Sequence, residues 1–123
     1  MSLSSTRSLI LKNNMFHKGD IVLIPFPFTD LSGVKVRPAV LLAAHKKSND
    51  IVVAFVTSKT TQGGQFNVIL KPDWQNGLKV QSTVLCDKIA TLDCKVIVGK
   101  IGTCDTKIIH SIDVELKNVF KLL

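Results

Sequence analysis

Between Asp20 and Gly102 the chain never runs far before a turn signal interrupts it. DIVLIPF (Asp20–Phe26) is rich in strand-forming residues and is stopped by Pro25 and Pro27. The loop PFTDLSGVKV leads into RPAVLLAA, from about Arg37 to Ala44, and the polar turn HKKSND feeds DIVVAFVTS, Asp50–Ser58. SKTTQGGQ, with Gly63-Gly64 as a hinge, precedes a short run near Phe66–Leu70; the PDWQNG turn cluster precedes another over Gln81–Ala90. TLDCK then turns the chain into VIVGKIG, Val96–Gly102. Short strands at this spacing, with turn chemistry between them, predict a small barrel or compact all-β core. After Asp105 the period changes: Ile109, Ile112, Leu116, Val119 and Leu123 fall at helical spacing. A single apolar stripe predicts a helix packed on the barrel, capped by Asp105 or Thr106, with Lys117 and Lys121 suiting its C-terminal half.

At 123 residues, with 46% of them apolar, one domain can bury a continuous core. There is no internal repeat or low-complexity tract. Residues 1–14, MSLSSTRSLILKNN, are polar and Ser-rich around Leu9–Leu11, a run too short for a signal sequence or a membrane span. They are expected to be a disordered leader before a single domain over 15–123. The balance of 16 Lys and Arg against 9 Asp and Glu gives a net charge of +7. Such a domain is drawn toward anions: nucleic acid, an anionic membrane or an acidic protein. Cys86, Cys94 and Cys104 are odd in number and lack CxxC spacing, so a reduced, cytoplasmic protein fits. They fail as a zinc site on count and spacing, and His17, His45 and His110 supply no paired motif, so core or strand cysteines are expected.

Three polar features stand where strand patterns do not require them. Arg37 is held toward an extended backbone by Pro38, and Lys35 shares its face if this part is extended. An edge-strand charge that discourages aggregation is the plainer reading of that pair. Thr57-Ser58-Lys59 places two hydroxyls and an ammonium at the end of an apolar strand, suited to a phosphate or a ribose hydroxyl, or simply to a turn entry. Asp87-Lys88 sits inside VLCDKIATLD, where one residue is expected outside and the other turned inward. Trp74 is the only tryptophan and there is no tyrosine, which argues against an aromatic stacking platform.

In order, KGDIVLIPFPFTDLSGVKVRPAVLL, IVVAFVTS, QNGLKVQSTVLCDKIATLD and IVGKIG ahead of a helix resemble the MazF/PemK family of bacterial toxin–antitoxin toxins, over nearly everything from Phe16 to Phe120. The resemblance implies a mainly β fold, an SH3-like small barrel with a packed C-terminal helix, shared with CcdB-like toxins and usually homodimeric. It implies a metal-independent endoribonuclease acting on single-stranded RNA, needing no cofactor, and a cognate acidic antitoxin that covers the RNA site and binds DNA with the toxin. Its expected active-site pair falls on Arg37 and Thr57, with Ser58 beside them and the strand acid on Asp87. Lys35, Lys59 and Lys88 are then candidates for RNA-backbone binding.

Two departures leave the general base and acid unassigned. The loop PFPFTDLSGVKV has no histidine, and Leu85 stands where some relatives carry a second arginine. A guanidinium has no acceptor, which leaves Asp87 as the candidate base or RNA-orienting acceptor and Asp30 as a distant second. A gyrase-binding toxin and an inactive RNA-binding paralogue are the alternatives to a ribonuclease.

Overall fold

The computed structural model describes residues 15–27, 34–45, 47–59 and 64–123. The leader, Asp30 and Gly63 lie outside them. The described elements are β1 (Asp20–Pro27), β2 (Val34–Ala44), β3 (Asp50–Thr57), β4 (Asn67–Leu70), β5 (Ser82–Asp93), a 3₁₀ turn (Cys94–Val96), β6 (Gly99–Thr103) and α1 (Thr106–Phe120). The strands form one curled antiparallel sheet in the order β4-β5-β3-β2-β1-β6, with the helix against β4 and β5. This is the expected mainly β fold with a packed C-terminal helix.

The near-continuous apolar runs in β1 to β3 follow from burial on both faces. Ile21, Val40, Ala54, Val56, Val84 and Cys86 join Ile112 of α1 in one cluster. Val22, Ile24, Ala39, Leu41, Ile51 and Val53 point the other way and are covered by Cys94 and Ile97. An ordinary half-buried strand would alternate apolar and polar residues; these cannot, because neither face meets water.

Gly19 and Asp20 tie the entry of β1 to the rest of the barrel. With φ at +94°, Gly19 accepts a bond from Cys104 N (2.8 Å) through its carbonyl and donates to the Leu41 carbonyl (2.8 Å). The buried Asp20 carboxylate accepts from His17 N at 2.7 Å and pairs with Lys100 Nζ at 3.2 Å. All three cysteines are buried thiols outside any disulfide, consistent with core positions. Burial, reinforced by Glu115 and Asp87, pushes the Cys86 thiol up to about 11; burial beside Asp105 and other carboxylates pushes Cys104 up to about 12.

Several sequence expectations are corrected. The strand expected over Val96–Gly102 is β6, Gly99–Thr103, because Val96 closes the 3₁₀ turn. β2 begins at Val34, before Arg37, because its first residues pair with Phe26 and Pro27 of β1. β5 runs through Asp93, so Thr91 and Leu92 pair with Val52 and Ile51 instead of turning; the turn waits for Asp93, whose carboxylate accepts from Lys95 N at 2.9 Å. Asp87 and Lys88 are both exposed, because the β3–β5 register shifts between Ala54/Ile89 and Phe55/Leu85 and the chain bulges there. Finally, Leu123 lies beyond the helix and is fully exposed, while Ile108 joins the stripe. The helix stops at Lys121, which is left-handed (φ 55°) and closes back on Asn118 and Lys117.

Asp105 is the helix cap, its Oδ1 accepting from Ile108 N at 2.8 Å. Replacing it by Ala removes that acceptor and is expected to lower stability by about 1 kcal/mol, whereas Asp105→Ser retains most of it. Urea midpoints of the two variants check this; equal midpoints would remove the cap's role.

Candidate functional site

The chain directions bring the start of β2, the end of β3 and the start of β5 to the same end of the sheet. Pro38 has no N–H to donate. The β2–β3 ladder ends at the adjacent pair, Ala39↔Phe55, although β2 stays paired with β1 as far as Pro27↔Val34. The ends of β2 and β3 are therefore joined through other strands and not to each other, and a groove of about 480 Å³ opens there. Lys35, Arg37, Pro38, Val56, Ser58 and Ser82 line it, with Leu78 and Val80 from the approach to β5.

The registers place the side chains. Arg37 lies two residues before Ala39 on β2 and Thr57 two residues after Phe55 on β3, so the two belong to the same face of strand ends that have parted. Thr57 in turn pairs with Thr83 of β5, and Thr83 with Ile69 of β4. The two threonines are cross-strand neighbours on β3 and β5, about 4.8 Å apart at strand spacing, and Arg37 stands on the same face of the parted β2 end. Arg37 is half-buried, with Nε inside the protein. The Thr57 hydroxyl oxygen accepts from Lys59 N at 3.1 Å, which fixes its orientation and keeps its proton for another acceptor. Ser58, just past the end of β3, also lines a second groove of about 280 Å³ with Lys59, Gly64, Asn67, Ile69, Gln81 and Thr83. Among the described residues lining the two grooves there is no carboxylate, while Lys35, Arg37 and Lys59 supply positive charge.

Of the residues singled out from sequence, Arg37, Thr57, Ser58, Lys35 and Lys59 come together at this end of the sheet. Asp87 and Lys88 do not. Asp87 is four residues further along β5 than Thr83, about 13 Å at strand rise, and β5 is two strands away from Arg37. Ser82, Thr83, Gln81 and Asn67 were not foreseen. Ser82 is buried, its hydroxyl donating to the Val80 carbonyl at 3.0 Å. The triplet Gln81-Ser82-Thr83 was the available signal: hydroxyls at the start of one strand mirroring Thr57-Ser58 at the end of its partner.

A family model for "PemK-like, MazF-like toxin of type II toxin-antitoxin system" matches residues 17–120. Comparison with curated protein sequences returned no match. Among solved structures, the chain is similar to the Mycobacterium tuberculosis toxin MazF-mt6 (20% identity, TM-score 0.69, covering 85% of this chain and 98% of that one). It is similar to a MazE–MazF structure from Deinococcus radiodurans, with 20% identity, TM-score 0.72 and coverage of 88% and 97%. An endoribonuclease in complex with its cognate antitoxin from a mycobacterial species gives 17% identity, TM-score 0.67 and coverage of 86% and 95%. The shared barrel and the family match over most of its length agree: this chain belongs to the PemK-like, MazF-like toxins of type II toxin–antitoxin systems.

Proposed function

We propose that this toxin is a metal-independent endoribonuclease that cleaves single-stranded RNA by attack of a ribose 2′-OH on the adjacent phosphate, leaving a cyclic or 3′-phosphate. The observation that carries the reading is Arg37 with Lys35 and Ser58 in a carboxylate-free groove, next to a second one that holds Lys59, at the strand end that bears Thr57. As the 2′-oxygen gives up its proton to water and bonds to phosphorus, negative charge builds on the non-bridging oxygens; the P–O5′ bond then breaks and the 5′-oxygen takes a proton from water to leave as a 5′-hydroxyl. The Arg37 fork donates two hydrogen bonds to those oxygens from a rigid strand. Thr57 donates its remaining proton to the phosphate, and Ser58 holds the nucleotide at the strand end. Lys35 and Lys59 bind the flanking backbone.

Asp87 is too far along β5 to share one phosphate with Arg37 within a protomer. In this proposal it and Lys88 contact RNA further along the strand, as an orienting acceptor and a backbone cation. The protein acts as a homodimer in the cytoplasm, and an acidic antitoxin competes with RNA for the same cationic groove. The mycobacterial neighbour solved with its cognate antitoxin supports that partner class.

A long unstructured RNA incubated with the protein in EDTA is expected to give discrete fragments, and mass analysis of their ends to show cyclic or 3′-phosphates. Binding without cleavage would replace this reading by that of an RNA-binding paralogue. Trapped gyrase–DNA cleavage with no action on RNA would point to the gyrase-binding class.

A further inference from the structure

We propose that Pro38 is a positioning residue: it keeps the ends of β2 and β3 from closing, and so holds Arg37 and an open main-chain edge ready for RNA. The inference rests on the RNA reading above and gives a role to a residue that reading does not use. Two hydrogen bonds remote from the groove fix which way the main chain faces there. The Leu41 carbonyl accepts from Gly19 N, on the β1 side, at 2.8 Å. Main-chain groups of successive residues in a sheet point to opposite neighbours, so Ala39 and Arg37 also face β1, while Val40, Pro38 and Val36 face β3. On the far side of the gap, the Phe66 carbonyl accepts from Cys86 N at 3.0 Å, so Cys86 and Val84 face β4 and Thr83 faces β3. Thr83 pairs with Thr57, which leaves Val56 facing β2.

Pro38 and Val56 are therefore turned toward each other, one rung past the last pair of the ladder, Ala39↔Phe55. Any other residue at position 38 would donate its N–H to the Val56 carbonyl; proline has none to give. The buried Val56 is left with an acceptor open to the groove. The rung after that would set Val36 against Ser58, and no backbone hydrogen bond joins those two among the described residues. The strand itself does not end here, because β2 stays paired with β1 from Val40 down to Val34. One missing donor thus opens the gap. Closing it would bring Arg37 beside Thr57 at strand spacing, about 4.8 Å, and fill the groove that the guanidinium lines.

Pro38→Ala restores the donor, and amide hydrogen exchange followed by NMR reads the result without RNA. The Ser58 amide is expected to exchange about tenfold more slowly than in the wild type, the effect of one added hydrogen bond. With Arg37 drawn into the ladder, kcat for RNA cleavage is expected to fall about 10²-fold, the scale of a misplacement of about 1 Å. KM should change less, because Lys35 and Lys59 still bind the backbone. Pro25→Ala is the control. Pro25 sits opposite Val36 on β1 with its nitrogen turned away from β2, so an N–H there is expected to leave Ser58 exchange and kcat unchanged. Ser58 exchange unchanged in Pro38→Ala, or slowed with wild-type kcat, overturns the role. Pro38→Val, with the same N–H on a stronger strand former, repeats the test if the alanine variant does not fold; if neither folds, the ring serves the fold and the role is overturned. If the wild type cuts no RNA, binding replaces cleavage as the second readout. Slowed Ser58 exchange with weakened RNA binding in Pro38→Ala alone then supports the opening although the catalytic reading has failed. Unchanged binding overturns it.

Discussion

Arg37→Ala is expected to reduce kcat/KM for RNA cleavage by about 10²–10³ while the protein remains folded. The magnitude is that of removing one preorganised donor from developing oxyanion charge. The side chain belongs to the strand end and not to the main clusters: its cross-strand partner is Ile24 of β1, and the β2–β3 ladder ends before it. Truncation loses some stem packing, so a modest fall in stability is expected alongside the catalytic loss. Arg37→Lys separates charge from geometry. Lysine restores the positive charge but presents a point donor where the phosphorane needs a planar fork, so it is expected to recover RNA affinity more than rate. Fluorescence-detected cleavage and binding of a labelled RNA, with thermal unfolding of each variant, measure the three quantities together. Wild-type rates for Arg37→Ala would remove the guanidinium from the chemistry. Full recovery by lysine would show that charge alone suffices.

How far the sequence can be read depends on how local each feature is. The end of β3 was visible because Ser58-Lys59 is turn chemistry at a fixed position, whereas Pro25 and Pro27, read as stops, both lie within β1, paired with Val36 and Val34. The end of β5 was not, since nothing in Thr91-Leu92 separates a strand from a turn; partners on β3, some forty residues earlier in the chain, decide it. The bulge that exposes both Asp87 and Lys88 is likewise a property of the pairing. Arg37 was legible because Pro38 restricts it locally, and Thr57 because it ends an apolar run. Their juxtaposition needs the order β5-β3-β2, which is set by contacts distant in sequence. For the same reason Thr83 and Ile69 were missed, and the separation of Asp87 from Arg37 could not be seen: both follow from counting strands and rungs, and a sequence supplies neither.

That dependence on distant pairing makes the closure of the barrel its most sensitive point. The turn after β4 is held by its own side chains. The Asp73 carboxylate accepts from Gln75 N (2.9 Å) and Asn76 N (2.7 Å), and the buried Asn76 amide donates to the Lys71 carbonyl at 2.8 Å. The turn docks on β6 through Thr103 N to the Gln75 carbonyl at 2.9 Å, so a segment next to one edge strand closes on the other. Gly77 makes the docking possible. Its φ is +69°, and a Cβ there would run into the Ile101 carbonyl, which β6 cannot easily withdraw while paired to β1. Gly77→Ala therefore combines a left-handed backbone cost of about 1–2 kcal/mol with about 1–3 kcal/mol of overpacking. The expected loss is about 2–5 kcal/mol, a large share of a domain's stability. Gly99→Ala is the matched control: the same substitution on β6, where a Cβ meets nothing within 4 Å, is expected to change stability by less than about 1 kcal/mol. Urea unfolding followed by far-UV circular dichroism compares the two at a common slope. Equal midpoints would mean that the turn yields and the barrel does not depend on this contact. A midpoint lowered only in Gly77→Ala would tie stability to the site, because Leu78, Val80 and Ser82 run directly from this turn into the wall of the Arg37 groove.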